Sequence, residues 1–320
     1  MRLKNLINIA RNNLVRIVIF AGFTFLLFLF PSPNIYFQSQ TSSNISQAVK
    51  VNLPDPPPVP INVTGENAPD VTAEGVVIVD ILSNMIIYEK NANDKFHPAS
   101  TTKIMTAMVA LDHYQMDDIL TVNRMETEGK TMGLISGERL TFESLLYGAL
   151  VDSANDAAYT IAENYPGGVE KFVQVMNRKA LSVHLDNTHF TNPIGFDEDQ
   201  TYTTPLDLAK LAKIALGNKV IAKIVGTKAI TVSDINFTNF HNLRNVNELL
   251  GKIAGVAGVK TGYTENGGEI LVSEVKKNDH SVLFVVLKSR DRFKETTLMI
   301  DWVFNNFSWK NITDIIPENR

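Results

Sequence analysis

The chain has 320 residues, a net charge of −4 and 44% hydrophobic residues, which is enough for one large core with appendages. The weak negative charge gives no general reason to expect nucleic-acid binding. The absence of cysteine excludes disulfides, thiol catalysis and cysteine metal sites.

Residues 1–30 have the pattern of a membrane-targeting segment. Basic residues precede the apolar run IVIFAGFTFLLFLF at 17–30, and the first acidic residue is Asp55. Basic residues before such a run keep the N-terminus in the cytoplasm, so everything after residue 31 is expected outside. No small-residue cleavage site follows the run. An uncleaved signal-anchor is therefore favoured over a cleaved signal peptide, and both over a buried core helix.

Residues 31–70 have the composition of a linker. They are rich in Ser, Asn, Gln and Pro, and contain PDPPPVP at 54–60. A proline run of this kind forms a semi-rigid extended spacer. We therefore predict a folded domain at 71–309, held away from the membrane, with a short tail at 310–320.

The folded part is predicted to open with a β-hairpin, because GVVIVD and MIIYEK flank the turn residues LSN. Helices dominate the middle, with Thr141 and Thr204 as N-caps and Pro205 at a first helical position. ILVSEV and SVLFVVL form a second predicted hairpin, followed by a final helix near 292–306. Strands segregated to the two ends predict an α+β fold, an antiparallel sheet flanked by helices, in which both hairpins share one sheet.

A serine and a lysine lie at the start of a predicted buried helix. The segment HPASTTKIMTAMVAL at 97–111 is apolar nearly all round, so its lysine must be paired or lose its proton. On a helix Ser100 and Lys103 are neighbours, and a neutral Lys103 can take the serine proton. Taken alone, this motif favours an N-cap serine with a structural lysine over a nucleophile with its base. A second Ser-x-x-Lys, at Ser273 and Lys276, lies in a predicted strand and is interpreted as a surface feature.

Two further motifs follow in a defined order. Ser-Ala-Asn at 153–155 lies between two helical segments, and Lys-Thr-Gly at 260–262 lies just before a predicted strand. Ser-x-x-Lys, then Ser-x-Asn, then Lys-Thr-Gly is the order found in penicillin-binding proteins and class A β-lactamases.

At these motifs the sequence resembles the serine D-alanyl-D-alanine carboxypeptidases, low-molecular-mass penicillin-binding proteins with a β-lactamase/transpeptidase-like fold. The resemblance covers about residues 70–309. It extends to HPASTTKIMTA, ISGERLTFESLLYGALVDSANDAA, FTNPIGF, YTTPLDLAKLA and NVNELL followed by GVKTGYT. It implies removal of the terminal D-alanine from peptidoglycan stem peptides ending in D-Ala-D-Ala, with no cofactor and no metal, and covalent inhibition by β-lactams.

The same resemblance implies roles for the first two motifs. Ser100 would be the nucleophile that forms the acyl-enzyme, and Lys103 would be its base. Ser153 would relay a proton to the departing D-alanine. Asn155 would hold the substrate amide and Lys103.

The third motif, by the same resemblance, would bind the end of the substrate. Lys260 and Thr261, in the motif that Gly262 completes, would hold the terminal carboxylate, because an anion needs a cation and a hydroxyl donor. We also expect the charge of Lys260 to lower the pKa of Lys103 further. The backbone N–H groups of Tyr263 and of the nucleophile would form the oxyanion hole.

Three other functions are weighed against this one. A class A β-lactamase needs a deacylating glutamate in E-x-x-L-N, and none of the glutamates between the second and third motifs begins that pattern. A D,D-endopeptidase that cuts peptide cross-links would use the same nucleophile, and only the resemblance favours the carboxypeptidase. A non-turnover penicillin sensor would need a signalling partner domain, for which the cytoplasmic portion is short.

The six histidines form no predicted metal set. Members of the family often carry a C-terminal membrane anchor, whereas only 310–320 follow the predicted domain here. The N-terminal segment is expected to replace that anchor and to place the enzyme on the outer face of the bacterial cell membrane, or to direct its secretion to the periplasm or cell wall.

Overall fold

The computed structural model describes residues 55–124 and 128–315, together with positions 18, 21, 22 and 25. The rest of the predicted anchor at 1–30, and the predicted linker as far as residue 54, lie outside the described residues. Within the described part, no helix combines the length and apolar character that a membrane crossing requires.

The elements follow the chain in an order close to that predicted. The strands are β1 Val59–Asn62, β2 Gly75–Asp80, β3 Ile86–Lys90, β4 Ile119–Thr121, β5 Arg139–Thr141, β6 Ala229–Ser233, β7 Phe240–Arg244, β8 Val256–Thr264, β9 Gly268–Lys277, β10 His280–Ser289 and β11 Phe307–Lys310. The helices are α1 Thr102–Leu111, which follows a 3-10 turn at Ala99–Thr101, α2 Phe142–Leu150, α3 Asn155–Glu163, α4 Gly168–Ser182, α5 Pro205–Leu216, α6 Lys219–Val225, α7 Arg292–Asn306 and α8 Ile312–Ile315.

The central sheet has five antiparallel strands in the order β3-β2-β10-β9-β8. Strand β10 pairs with β2 along Val282–Leu287 and with β9 on its other side. The first and last hairpins therefore share one sheet, as predicted. Strand β8 forms one edge of that sheet, so one side of β8 has no strand partner within it.

Helices cover both faces of the sheet. Val77 and Val285 face the larger core, which α1 to α6 share, while Ile78 and Phe284 face a second core beneath α7. Because successive side chains of a strand point to opposite faces, burial on both faces requires an unbroken apolar run. This explains SVLFVVL, and the predicted α+β fold is confirmed.

The helix starts predicted from capping residues are confirmed. The Thr141 Oγ1 accepts a hydrogen bond from the Ser144 N–H at 3.2 Å, and the Thr204 Oγ1 accepts one from the Asp207 N–H at 3.1 Å. Each cap satisfies one N–H that has no partner inside its own helix. Pro205 takes the first helical position, where its missing N–H costs nothing.

The folded part begins earlier than the sequence indicated. Strand β1 lies inside the span 31–70 predicted as linker, and it pairs with β11, whose last residue Lys310 was assigned to the tail. The Val63 N–H also donates to the Asn306 carbonyl at 2.8 Å. Both strands of a two-stranded sheet are edge strands, so β1 tolerates its proline. Because β11, the partner of β1, lies far away in the chain, local composition gave no indication of the pairing.

This pairing predicts a stability difference between two fragments. A fragment of residues 55–320 should unfold at higher urea concentration than one of residues 71–320, which lacks β1. Several hydrogen bonds worth about 1 kcal/mol each are lost, so the free energy of unfolding should fall by about 2–4 kcal/mol. Equal unfolding midpoints for the two fragments would show that β1 contributes no stability.

Candidate active site

The first predicted site pair lies where the 3-10 turn enters α1. Ala99, just before Ser100, has a left-handed φ of +46°, and Thr101 returns its N–H to the Pro98 carbonyl at 3.1 Å. No side chain caps this helix, so Ser100 is not the N-cap that the structural alternative required. A non-glycine residue in this backbone region is strained, and such strain concentrates at functional sites.

Lys103 is completely buried, and its amine has three polar neighbours. The Nζ atom lies 2.9 Å from Ser100 Oγ, 2.7 Å from Asn155 Oδ1 and 3.0 Å from the Ile194 carbonyl oxygen. A neutral amine has two N–H donors and one lone pair. The amide and carbonyl oxygens can only accept, so they take the two donors. The lone pair is then directed at the hydroxyl of Ser100.

Burial favours this neutral form. Desolvation lowers the pKa of Lys103 from its usual value to about 7, with the charge of Asp156 opposing the shift. The expected lowering of the pKa of Lys103 by burial is confirmed, whereas the charge of Lys260, expected to lower it further, is not among the causes. A lysine poised near neutral pH can act as a general base.

The segment FTNPIGF supplies the carbonyl that contacts Lys103. Asn192 Oδ1 accepts the N–H groups of Ile194, Gly195 and Phe196 at 3.2, 2.6 and 3.1 Å, which holds this loop in one shape. Gly195 has a φ of +90°, and a Cβ there would lie 1.8 Å from the Ala99 carbonyl oxygen. Only glycine permits this approach, so the loop and the strained turn fit together.

Asn155 links the first helix to the second motif. It is the first residue of α3, is 5% exposed, and donates from Nδ2 to the Glu128 carbonyl at 2.8 Å. That bond fixes which way the amide points, so that Oδ1 faces Lys103. The neighbouring Asp156 carboxylate accepts the N–H groups of three consecutive residues, 132–134, and anchors the loop above the site.

A second serine–lysine pair lies beside the first. Lys260 Nζ donates to Ser153 Oγ at 2.7 Å and to the Thr261 carbonyl at 2.9 Å. Ser153 is nearly buried and has a left-handed φ of +61°, a second strained position. Burial and then the charges of Lys103 and Arg292 lower the pKa of Lys260 well below its usual value. A bound anion would favour its charged form.

The third motif was predicted to lie just before a strand. The structure instead places it within strand β8. The structure brings β8 against the start of α1: a Cβ on Gly262 would lie 3.2 Å from the Ser100 nitrogen. Tyr263, the next residue, is 65% exposed. All three predicted motifs therefore meet along the edge strand of the sheet.

Arg292 and Lys130 line the same cleft and were not predicted. Arg292 donates from Nη1 to the Gly262 carbonyl at 2.7 Å, and Lys130 forms an ion pair with Asp152 at 3.0 Å. One signal for Arg292 was present in the sequence. It occupies the first position of α7, where a cation opposes the helix dipole, so helix stability does not explain its position.

The cleft has a volume of about 300 Å³. Its walls include Ser100, Ser153, Asn155, Thr261, Gly262, Tyr263 and Arg292, as well as the loop residues 194–196. Lys103 and Lys260 lie fully buried behind the two serines. In the described part of the chain, no group of His, Asp and Glu side chains could hold a metal ion.

The second Ser-x-x-Lys takes no part in this site. Ser273 is completely buried in β9 and donates from Oγ to the Gly258 carbonyl at 3.1 Å, whereas Lys276 is exposed. The two side chains point to opposite faces, as expected. The interpretation of the pair as a surface feature was wrong for Ser273, because the sheet is covered on both faces.

This fold, with a serine and a lysine at a helix start facing a Lys-Thr-Gly edge strand, defines the class of penicillin-binding proteins with the transpeptidase fold. The crystal structure of the Streptomyces K15 DD-transpeptidase superposes on 75% of this chain and all of its own, with a TM-score of 0.70 and 30% identity.

Within that class, the chain belongs to the D-alanyl-D-alanine carboxypeptidase family. The sequence profile of that family matches residues 62–291 of this chain. The chain is 32% identical over 245 residues to D-alanyl-D-alanine carboxypeptidase DacF of Bacillus subtilis, covering 73% of this chain but 63% of that relative's length. It is also 32% identical over 250 residues to the D-alanyl-D-alanine endopeptidase of Escherichia coli, covering 75% of this chain and 80% of that protein. The predicted family is confirmed.

The pKa of Lys103 predicts the pH dependence of acylation. Below pH 7 Lys103 gains a proton and Ser100 loses its base, so the second-order rate constant with a fluorescent penicillin should fall about tenfold per pH unit. Above pH 7 the rate should level off. The Lys103→Ala variant should react at least 100-fold more slowly than the wild type above pH 7, and its rate should lack the wild-type fall below pH 7. A wild-type profile that is flat between pH 5.5 and 8.5 would contradict the role of Lys103 as base.

Proposed function

We propose that this protein is a serine D-alanyl-D-alanine carboxypeptidase that removes the terminal D-alanine from peptidoglycan stem peptides. The observation that carries the proposal is the buried amine of Lys103, which lies 2.9 Å from Ser100 Oγ and also contacts Asn155 Oδ1 and the Ile194 carbonyl oxygen; in its neutral form these two acceptors leave its lone pair for Ser100. A serine in that position loses its proton as it attacks a carbonyl carbon. Family membership supports the choice of D-alanyl-D-alanine as the substrate bond.

Acylation would proceed through a tetrahedral intermediate. Ser100 Oγ attacks the carbonyl carbon of the penultimate D-alanine, and its proton passes to Lys103. The tetrahedral intermediate collapses as the C–N bond breaks, and the leaving amine takes a proton through Ser153. The Lys260 amine would support this proton transfer, because its Nζ lies 2.7 Å from Ser153 Oγ. The products are an ester on Ser100 and free D-alanine.

The other end of the cleft suits a terminal carboxylate. Two N–H donors of Lys260 are used within the protein, and the charged form that a bound anion favours has a third donor for that anion. Thr261 adds a hydroxyl and Arg292 a guanidinium along the same wall. Three donors, two of which can carry positive charge, lie around one small volume and favour a substrate that ends in a carboxylate beside the scissile bond.

Strand β8 would align the substrate with the nucleophile. Its free edge offers backbone groups to an extended peptide, the geometry of strand addition. The close approach of Gly262 to the Ser100 nitrogen brings the N–H groups of Ser100 and Tyr263 toward one region, where they would stabilise a developing oxyanion.

Deacylation completes the cycle, because water hydrolyses the ester and restores Ser100. β-Lactams would acylate the same serine, and slow hydrolysis of that ester would make them inhibitors. We further propose that the N-terminal segment holds the enzyme on the outer face of the cell membrane, which is where its substrate lies.

Release of D-alanine tests the activity. The full-length protein in detergent should release D-alanine from a pentapeptide that ends in D-Ala-D-Ala and should be labelled by fluorescent penicillin. The Ser100→Ala variant should lose both reactions, because no other hydroxyl replaces the nucleophile, while its thermal unfolding remains unchanged. D-Alanine release by the Ser100→Ala variant at the wild-type rate would refute the proposal.

Cell fractionation tests the anchor. Expressed in bacteria, the full-length protein should sediment with membranes and keep its N-terminal residues. A protein lacking residues 1–30 but carrying a cleavable export signal should instead be soluble outside the cytoplasm. Recovery of the full-length enzyme as a soluble, shortened protein would show that the segment is a cleaved signal.

A further inference from the structure

A buried carboxylate lies directly before Ser153, and the catalytic steps proposed above make no use of it. Asp152 is 9% exposed, and its Oδ1 lies 3.0 Å from Lys130 Nζ and accepts the Arg244 N–H at 3.3 Å. Acidic side chains are rarely buried unless they are paired. Lys130 is that partner, and its half-exposed side chain lines the cleft. The ion pair therefore joins the residue before Ser153 to the surface of the cleft.

Both members of this pair adjoin the second motif. The Lys130 carbonyl accepts the Asn155 N–H at 2.7 Å, and Asp152 precedes Ser153 in the chain. Ser153 Oγ in turn accepts a hydrogen bond from Lys260 Nζ at 2.7 Å. The pair, the second motif and Lys260 thus form one connected and largely buried cluster. Charges act on one another more strongly in such a cluster than they do in water.

Asp152 supplies negative charge to a group of cations around Lys260. Burial is the largest of the effects that lower the pKa of Lys260. Three cations lower it further, namely Lys103, Arg292 and Lys130. The charge of Asp152 acts in the opposite direction and raises it. The two members of the ion pair therefore have opposite effects on Lys260.

The charge of Lys260 matters because this residue is assigned to the terminal carboxylate of the substrate. A neutral Lys260 must take up a proton before it can form a charge-assisted contact with that carboxylate. The apparent affinity of a ligand falls with the fraction of protein that is in the binding-competent form. A charge that keeps Lys260 protonated therefore strengthens the binding of a substrate with a terminal carboxylate, and has little effect on a substrate that lacks one.

We propose that Asp152 is a positioning residue for substrate specificity, which keeps Lys260 charged and so sets the preference of the enzyme for a free terminal carboxylate. Lys130 limits this effect because it pairs with Asp152. The inference rests on the proposed carboxypeptidase function. Neither residue is assigned a contact with the scissile bond, so the reaction at Ser100 should proceed when either charge is removed.

The test compares two peptides that differ at one end. One is a pentapeptide that ends in D-Ala-D-Ala with a free carboxylate, the acid, and the other is the same peptide with a terminal amide. The specificity constant kcat/KM for cleavage of the last peptide bond is measured for both peptides at a fixed pH above 7, where Lys103 is mainly neutral. The acid-to-amide ratio of the two constants reports recognition of the carboxylate.

The full-length wild type is compared with the variants Asp152→Asn, Asp152→Glu and Lys130→Gln. Asn and Gln remove the charge and keep groups that can form hydrogen bonds. The matched controls are Asp301→Asn and Lys171→Gln, each of which removes an exposed charge of the same sign outside the cleft. Complete labelling by excess fluorescent penicillin reports that Ser100 remains competent, and thermal unfolding reports that the fold is intact.

The ion pair predicts opposite changes in the two charge-removing variants. The acid-to-amide ratio should fall about fivefold or more in Asp152→Asn, mainly through a higher KM for the acid. It should rise in Lys130→Gln, because Asp152 then acts on Lys260 without its partner. Asp152→Glu, which keeps the charge, should retain more of the wild-type ratio than Asp152→Asn. The two control variants should leave the ratio unchanged.

A merely structural role would give a different result, because distortion of the cleft slows the cleavage of both peptides alike. An unchanged ratio in Asp152→Asn, or a fall of the ratio in both Asp152→Asn and Lys130→Gln, would overturn the inference. Absence of Ser100-dependent D-alanine release from the acid by the wild type would instead refute the proposed function.

Discussion

The contact between the Lys103 amine and the Ser100 hydroxyl depends on complete burial of a lysine, and much of the surrounding structure maintains that burial. A charged ammonium inside a core is unfavourable, so the site stabilises the neutral amine and supplies acceptors for its two remaining protons. Asn155 and the Ile194 carbonyl are those acceptors. Each is fixed in turn, Asn155 by the Glu128 carbonyl and Ile194 by the Asn192 side chain. The lone pair is thereby left with one direction, toward the serine.

Two close backbone approaches make this arrangement possible. Gly195 packs against the Ala99 carbonyl, and Gly262 packs against the Ser100 nitrogen, so a loop and a strand both contact the turn that carries the nucleophile. That turn and Ser153 both have left-handed backbone conformations at non-glycine residues. Strain of about 1–3 kcal/mol at such positions persists only where surrounding contacts enforce it. Here the buried lysines and the two glycines provide those contacts.

The second lysine shows how one cleft separates two roles for the same residue type. Lys103 and Lys260 are both buried, yet only Lys103 has its donors directed at oxygens that leave a lone pair for a serine. Lys260 contacts Ser153, and Ser153 and Arg292 both line the cleft, where an incoming carboxylate would compensate the positive charge.

The sequence by itself determined the hairpins, the capped helices, the α+β class and the three motifs with their order, because these are encoded in local period, turn residues and short spacings. It also indicated the buried lysine, since an apolar helix around Lys103 leaves no solvent-facing side. Only the tertiary structure decided which acceptors take the amine protons, that Lys-Thr-Gly lies within an edge strand, and that Arg292 and Lys130 join the cleft. It alone revealed the β1–β11 pairing and the burial of Ser273. These features depend on contacts between segments far apart in the chain, and no local pattern records which distant surfaces meet.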